Sequence, residues 1–100
     1  MKYGLTDETI SKIQQVFSTF PEVEQAILYG SRAKGNFKPS SDIDITVKGE
    51  NMNLQILNKI EWQLDDLLLP YTFDLSIFRY LNNPDLREHV ERVGVVVYQK

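Results

Sequence analysis

Cysteine is absent from the 100 residues. That excludes disulfides and any thiolate metal site, and it agrees with the reducing cytoplasm, where this protein is expected to reside. Long apolar runs are missing too. None approaches the roughly 20 residues that a membrane span needs, and no signal peptide is visible. There is no internal repeat, low-complexity tract or linker. Basic charge is not in excess: 11 Lys and Arg face 14 Asp and Glu, for a formal net charge of −3. A general nucleic-acid binder usually carries a basic face, so direct nucleic-acid binding is not expected. One hundred residues make a single domain, 1–100, with one modest core.

What is present alternates between helical and strand patterns. Thr6 caps a helix in which Ile10, Ile13, Val16, Phe17 and Phe20 recur at helical spacing, and Pro21 stops it. Val23 to Tyr29 reads as a first strand, Ser31 to Gly35 as a short helix, and Asn36 to Ser41 as a turn. Asp42 to Val47 reads as a second strand. A helix is predicted from Leu54 to Leu69, with Ile56, Leu57, Ile60, Leu64, Leu67 and Leu68 as its buried stripe. Thr72 to Phe78 reads as a third strand. Asn83-Pro84 opens a last helix that Gly94 ends, and Val95 to Tyr98 is a short final strand. The helical crossover between strands two and three makes them parallel, and the short connection between strands one and two makes them antiparallel. The fold class is therefore α/β (α+β): a small mixed sheet of about four strands with helices packed mainly on one face.

The informative segment is Tyr29-Gly30-Ser31-Arg32-Ala33-Lys34-Gly35, followed by Ser41-Asp42-Ile43-Asp44-Ile45. Glycines let backbone amides approach a phosphate closely. Arg32, Lys34 and Lys38 add positive charge, and no acid interrupts from Ala26 to Ser41. Asp42 and Asp44 are two apart in a strand, so their carboxylates share one side while Ile43 and Ile45 face the other. Adjacent carboxylates repel unless a cation lies between them. A hard divalent ion carrying a nucleotide's phosphates is the natural occupant. Asp74, on the polar side of the third strand, is the candidate third acid.

The order apolar-Gly-Ser, ten residues from Arg32 to Ser41, then Asp-apolar-Asp-apolar resembles the signature of the DNA polymerase beta-like nucleotidyltransferase superfamily. Gly-Ser-Arg-Ala-Lys-Gly in so short a chain is similar to its minimal nucleotidyltransferase (MNT) family. The resemblance implies a polymerase beta palm-like fold, with ATP as substrate and two Mg2+ ions as cofactors. It implies transfer of AMP to an acceptor hydroxyl. Asp42, Asp44 and Asp74 would hold the metal ions and serve catalysis. Gly30 and Ser31 would hold the β- and γ-phosphates, with Arg32, Lys34 and Ser41 as further phosphate contacts.

The resemblance also implies a partner. Larger relatives carry a second domain that completes the nucleotide pocket, and this chain is too short for one. In the resembled family the partner is a small helical HEPN protein, often a toxic ribonuclease. The pair acts as antitoxin and toxin, and some members transfer AMP to a tyrosine of that partner. A homodimer is the other way to supply the missing surface. Competing readings are a non-catalytic antitoxin that neutralises its partner by contact, and transfer to a small molecule such as an aminoglycoside. Trp62 and Leu69 fall off the helix's apolar stripe as contact candidates. His89, the sole histidine, reads as a surface residue, and Glu61, Asp65 and Asp66 as a solvated face.

Overall fold

The computed structural model describes all residues from Met1 to Lys100. Helix α1 (Asp7–Ser18) begins where the Thr6 hydroxyl accepts from the Thr9 amide at 3.1 Å. Asp7 and Glu8 face its positive end. Strand β1 (Gln25–Tyr29) leads into the five-residue helix α2 (Gly30–Lys34). Strand β2 (Ile43–Lys48), helix α3 (Leu54–Asp65) and strand β3 (Phe73–Ile77) follow. A 3₁₀ turn (Phe78–Tyr80), helix α4 (Pro84–Val93) and strand β4 (Val95–Gln99) complete the chain.

The sheet order is β3-β2-β1-β4. Strands β2 and β3 are parallel, as the helical crossover requires, and β1 runs antiparallel to both β2 and β4. Side-chain alternation gives the two faces opposite characters. On one, Ala26, Leu28, Ile43, Ile45 and Val47 join Ile13, Val16 and Phe17 of α1 and Leu57, Ile60 and Leu64 of α3 in the main core. On the other, Ile27 and Tyr29 of β1 pack with Phe78 and with Val90 of α4. Helix α4 thus covers only the β1 side of that face. Asp44 and Thr46 of β2 and Asp74 and Ser76 of β3 lie on the same face, outside the apolar cluster.

Three details differ from the sequence reading. Helix α3 stops at Asp65, short of Pro70, and the chain turns through Leu67 and Leu68. Leu68 takes a left-handed backbone, φ 55°, and is 88% exposed, so it leaves the buried stripe. Leu69 packs partly against the core and is not a free contact residue. Trp62 does project outward, 68% exposed. Gly94 ends α4 without a left-handed turn, at φ −61°. Its lack of a side chain matters for space: a Cβ there would collide with the Val90 carbonyl and lie 2.7 Å from Ile27 Cγ2.

Candidate active site

The two-residue period of a strand and the pairing register bring the acids together. Asp44 and Asp74 are paired neighbours across the parallel β2-β3 ladder, and Tyr29 is paired with Asp44 across the antiparallel β1-β2 ladder. All three side chains therefore rise from the same face. Asp42 lies one residue before β2 and is exposed at the mouth. The Ile43 amide bonds the Thr72 carbonyl at 2.9 Å, which fixes the entry of β2 against the start of β3.

Electrostatics at the acids are one-sided. Asp44 is half-buried, and burial, followed by the charges of Asp74 and Asp42, pushes its carboxyl up to about 6. Neither ion pair in the chain, Lys12–Glu8 or Arg92–Glu88, involves the three acids. A set of oxygen donors with surplus negative charge and no cationic side chain paired to it has the chemistry a hard divalent cation requires. The side chains are not drawn in as a closed cage: no group of three His, Cys, Asp or Glu forms a tight ligand cluster. A cation would have to draw the carboxylates inward.

The glycine loop meets the acids directly. Gly30 has φ +75°, and a Cβ there would collide with Oδ2 of Asp44. Glycine suits this position on two counts: the backbone sign favours it, and the missing side chain leaves room for the Asp44 carboxylate. The loop's short helix ends at Gly35, φ +90°, whose amide returns to the Ser31 carbonyl at 2.9 Å. Ser31, the second residue of α2, is half-buried beside it.

Arg32 is a correction. Expected to face a phosphate, it is turned inward and is 1% exposed. Its Nη1 donates to the Tyr3 carbonyl at 2.8 Å, its Nη2 to Pro39 and Ser41, and its Nε to Ser41 at 3.1 Å. The guanidinium lies against the rings of Phe37 and Tyr71, 5.2 and 5.0 Å from their centroids. Five donors in a rigid fork suit this work, because they satisfy several loop carbonyls at once. By holding the Ser41 carbonyl, Arg32 fixes the residue before Asp42. Ser41 itself closes the loop: its hydroxyl accepts from the Lys38 amide and its amide donates to the Lys38 carbonyl, both at 2.9 Å. Lys34 and Lys38 are exposed at the rim.

Three neighbours of the acids were not identified from sequence. The Tyr29 hydroxyl lies beside Ser76, and burial raises its pKa above the ordinary tyrosine value, so it holds its proton more firmly. Ser76 Oγ is buried without a well-formed hydrogen bond of its own. His89, expected at the surface, is half-buried: its Nε2 accepts from the Gly30 amide at 3.2 Å, and its ring meets Tyr29 edge-on. That contact spans 59 residues of sequence, and no local pattern signals it.

A family model described as polymerase beta, nucleotidyltransferase, matches residues 11–100. One solved structure, described as a candidate minimal nucleotidyltransferase, shares 26% identity over 95% of both chains, with a TM-score of 0.70. A toxin–antitoxin structure with AMP-PNP is similar at 23% identity, TM-score 0.71, over 96% of this chain and 75% of that one. A tri-AMPylated Shewanella oneidensis HEPN toxin in complex with an MNT antitoxin is similar at 19% identity, TM-score 0.70, over 96% and 74%. At such identities these complexes establish the fold alone. No curated protein is similar enough to match the chain.

Proposed function

This chain belongs to the polymerase beta nucleotidyltransferase family, and from that premise we propose that it transfers AMP from ATP to a hydroxyl of a helical HEPN-type protein, acting as an antitoxin. The observation that carries the reading is the contact between the glycine loop and the acids: the Asp44 carboxylate occupies the space that a side chain at Gly30 would take. A phosphate cradled by the loop therefore lies next to the acids.

In this reading Asp42, Asp44 and Asp74 hold two Mg2+ ions. The acceptor oxygen would lose its proton to solvent and bond to the α-phosphorus as the bond to pyrophosphate breaks, and the ions, when bound, would neutralise the charge on the triphosphate and on the departing pyrophosphate. The chain's own residues do the rest. Gly30 and Ser31 place the loop against the β- and γ-phosphates, and Lys34 supplies exposed positive charge at the rim. Arg32 holds the Ser41 carbonyl and so orients Asp42. Ser41 supports the loop and needs no phosphate contact to do so. Buried Tyr29 flanks half-buried Asp44 on the β1 side.

The open half of the face explains the partner. Helix α4 covers the β1 side, while nothing in this chain encloses a nucleotide over β2 and β3. A second protein surface would complete the pocket and present the acceptor. Calorimetry tests the nucleotide step: ATP should bind in a divalent-ion-dependent manner, and the Asp42→Asn, Asp44→Asn double variant should lose that dependence. Equal binding by a folded double variant would overturn the proposal.

A further inference from the structure

We propose that His89 is a positioning residue for the phosphate loop, holding the Gly30 peptide in the orientation that nucleotide binding uses. This deepens the nucleotidyltransferase reading and rests on it. Gly30 is gripped from two sides. Its amide donates to Nε2 of His89 at 3.2 Å, and its missing side chain leaves the space taken by Oδ2 of Asp44. A peptide at φ +75° is free to turn in a glycine. Carboxylate contact alone limits how close Gly30 comes to β2, not which way its amide points. The hydrogen bond that the Gly30 amide donates to His89 fixes that second degree of freedom, and with it the path of Ser31 into α2.

The imidazole is itself held in place. Helix α4 is capped by the Asn83 side chain, which accepts from the Asp85 and Leu86 amides. Arg87 ties the preceding turn, donating to the Phe78 and Leu81 carbonyls at 2.9 and 3.1 Å. Val90, next to His89, is buried against β1, and Gly94 lets the helix end close on Ile27. The Tyr29 ring meets the imidazole edge-on, with centroids 6.2 Å apart at 81°. Because Nε2 accepts, the ring's proton sits on Nδ1. A side chain held at this many points transmits the position of α4 to the loop.

The test compares His89→Leu, which removes the acceptor, with His89→Gln, whose Oε1 takes the place of Nε2. Losing one such bond should weaken ATP binding roughly tenfold in the presence of Mg2+, while His89→Gln should bind within about threefold of the wild type. Damage to the fold alone would lower the melting temperature and the number of sites per molecule, leaving the Kd of the folded fraction unchanged. Wild-type affinity in His89→Leu, or equal weakening in both variants, would overturn the proposal. Amide hydrogen exchange in the ligand-free protein supplies an arm that does not depend on ATP. The Gly30 amide should be protected in the wild type and His89→Gln and exposed in His89→Leu. If the wild type binds no ATP, the nucleotidyltransferase reading fails. Equal Gly30 exchange in the wild type and His89→Leu would instead refute the role given to His89.

Discussion

Replacing Gly30 and Gly35 separately by alanine divides conformational strain from site geometry. Both glycines have positive φ, +75° and +90°. Alanine in a left-handed conformation costs about 1–2 kcal/mol, so each variant should lose roughly that much stability. Their surroundings differ. A Cβ at Gly35 meets nothing within 4 Å, whereas at Gly30 it collides with the Asp44 carboxylate. The carboxylate is the end of a side chain and can rotate away, so the added stability loss at Gly30 should stay below about 1 kcal/mol. The functional loss should not stay small, because rotation removes an oxygen of the proposed metal site from its place. Urea unfolding should therefore rank the two variants together. Divalent-dependent ATP binding should fall at least roughly tenfold in Gly30→Ala, one lost interaction of about 1.4 kcal/mol, and hardly change in Gly35→Ala. Equal ATP binding by both folded variants would refute the link between Gly30 and Asp44.

Arg32→Lys should destabilise by about 3 kcal/mol in urea unfolding, since a lysine cannot satisfy the Tyr3, Pro39 and Ser41 carbonyls from one buried position. A near-neutral result would remove its structural role. Asp74→Asn should lower turnover more than ATP affinity, because in the proposed site it serves the ion nearest the acceptor hydroxyl; calorimetry and rate measurements on one preparation decide this. The carboxyl of Asp44 is raised from 3.8 to about 6 in the folded chain. The folded state therefore holds more protons than the unfolded state between those values, and stability falls as pH rises through that window. The full displacement corresponds to about 3 kcal/mol, which solvent at this half-exposed group reduces to about 1 kcal/mol. Asp44→Asn should flatten that part of the stability–pH curve, and Mg2+ should offset the loss in the wild type. A wild-type curve that rises between pH 4 and pH 6 while the variant's stays flat would contradict the assignment.

Much of the site was legible because it follows from short-range rules. Period-two alternation placed Asp44 and Asp74 on the polar side of their strands. The crossover helix made those strands parallel, and the observed register pairs the two acids directly. The Asn83 cap and Pro84 start of α4 follow from local chemistry and appear as expected. Long-range features were not legible. Arginine is seldom buried, and in a Gly-Ser-Arg segment it reads naturally as a phosphate ligand. Only the fold shows that carbonyls from the N-terminal segment and the loop before β2 converge on it. The apolar pattern of helix α3 runs on to Leu68, but Leu68 adopts a left-handed turn that side-chain spacing does not encode. The role of His89 depends on α4 lying over β1, an arrangement set by tertiary packing.

The central claim is that the three acids and the glycine loop transfer a nucleotide to a protein acceptor. Its most direct test is to incubate the chain, co-purified with a helical HEPN-type partner, with Mg2+ and ATP labelled at the α-phosphate. Label and mass on the partner are then followed. The account predicts that the partner gains label and the mass of one or more adenylates. It predicts none when Asp42 and Asp44 are both changed to asparagine. A wild-type chain that binds its partner and ATP yet transfers no label, or a double variant that transfers as much as the wild type, would contradict it.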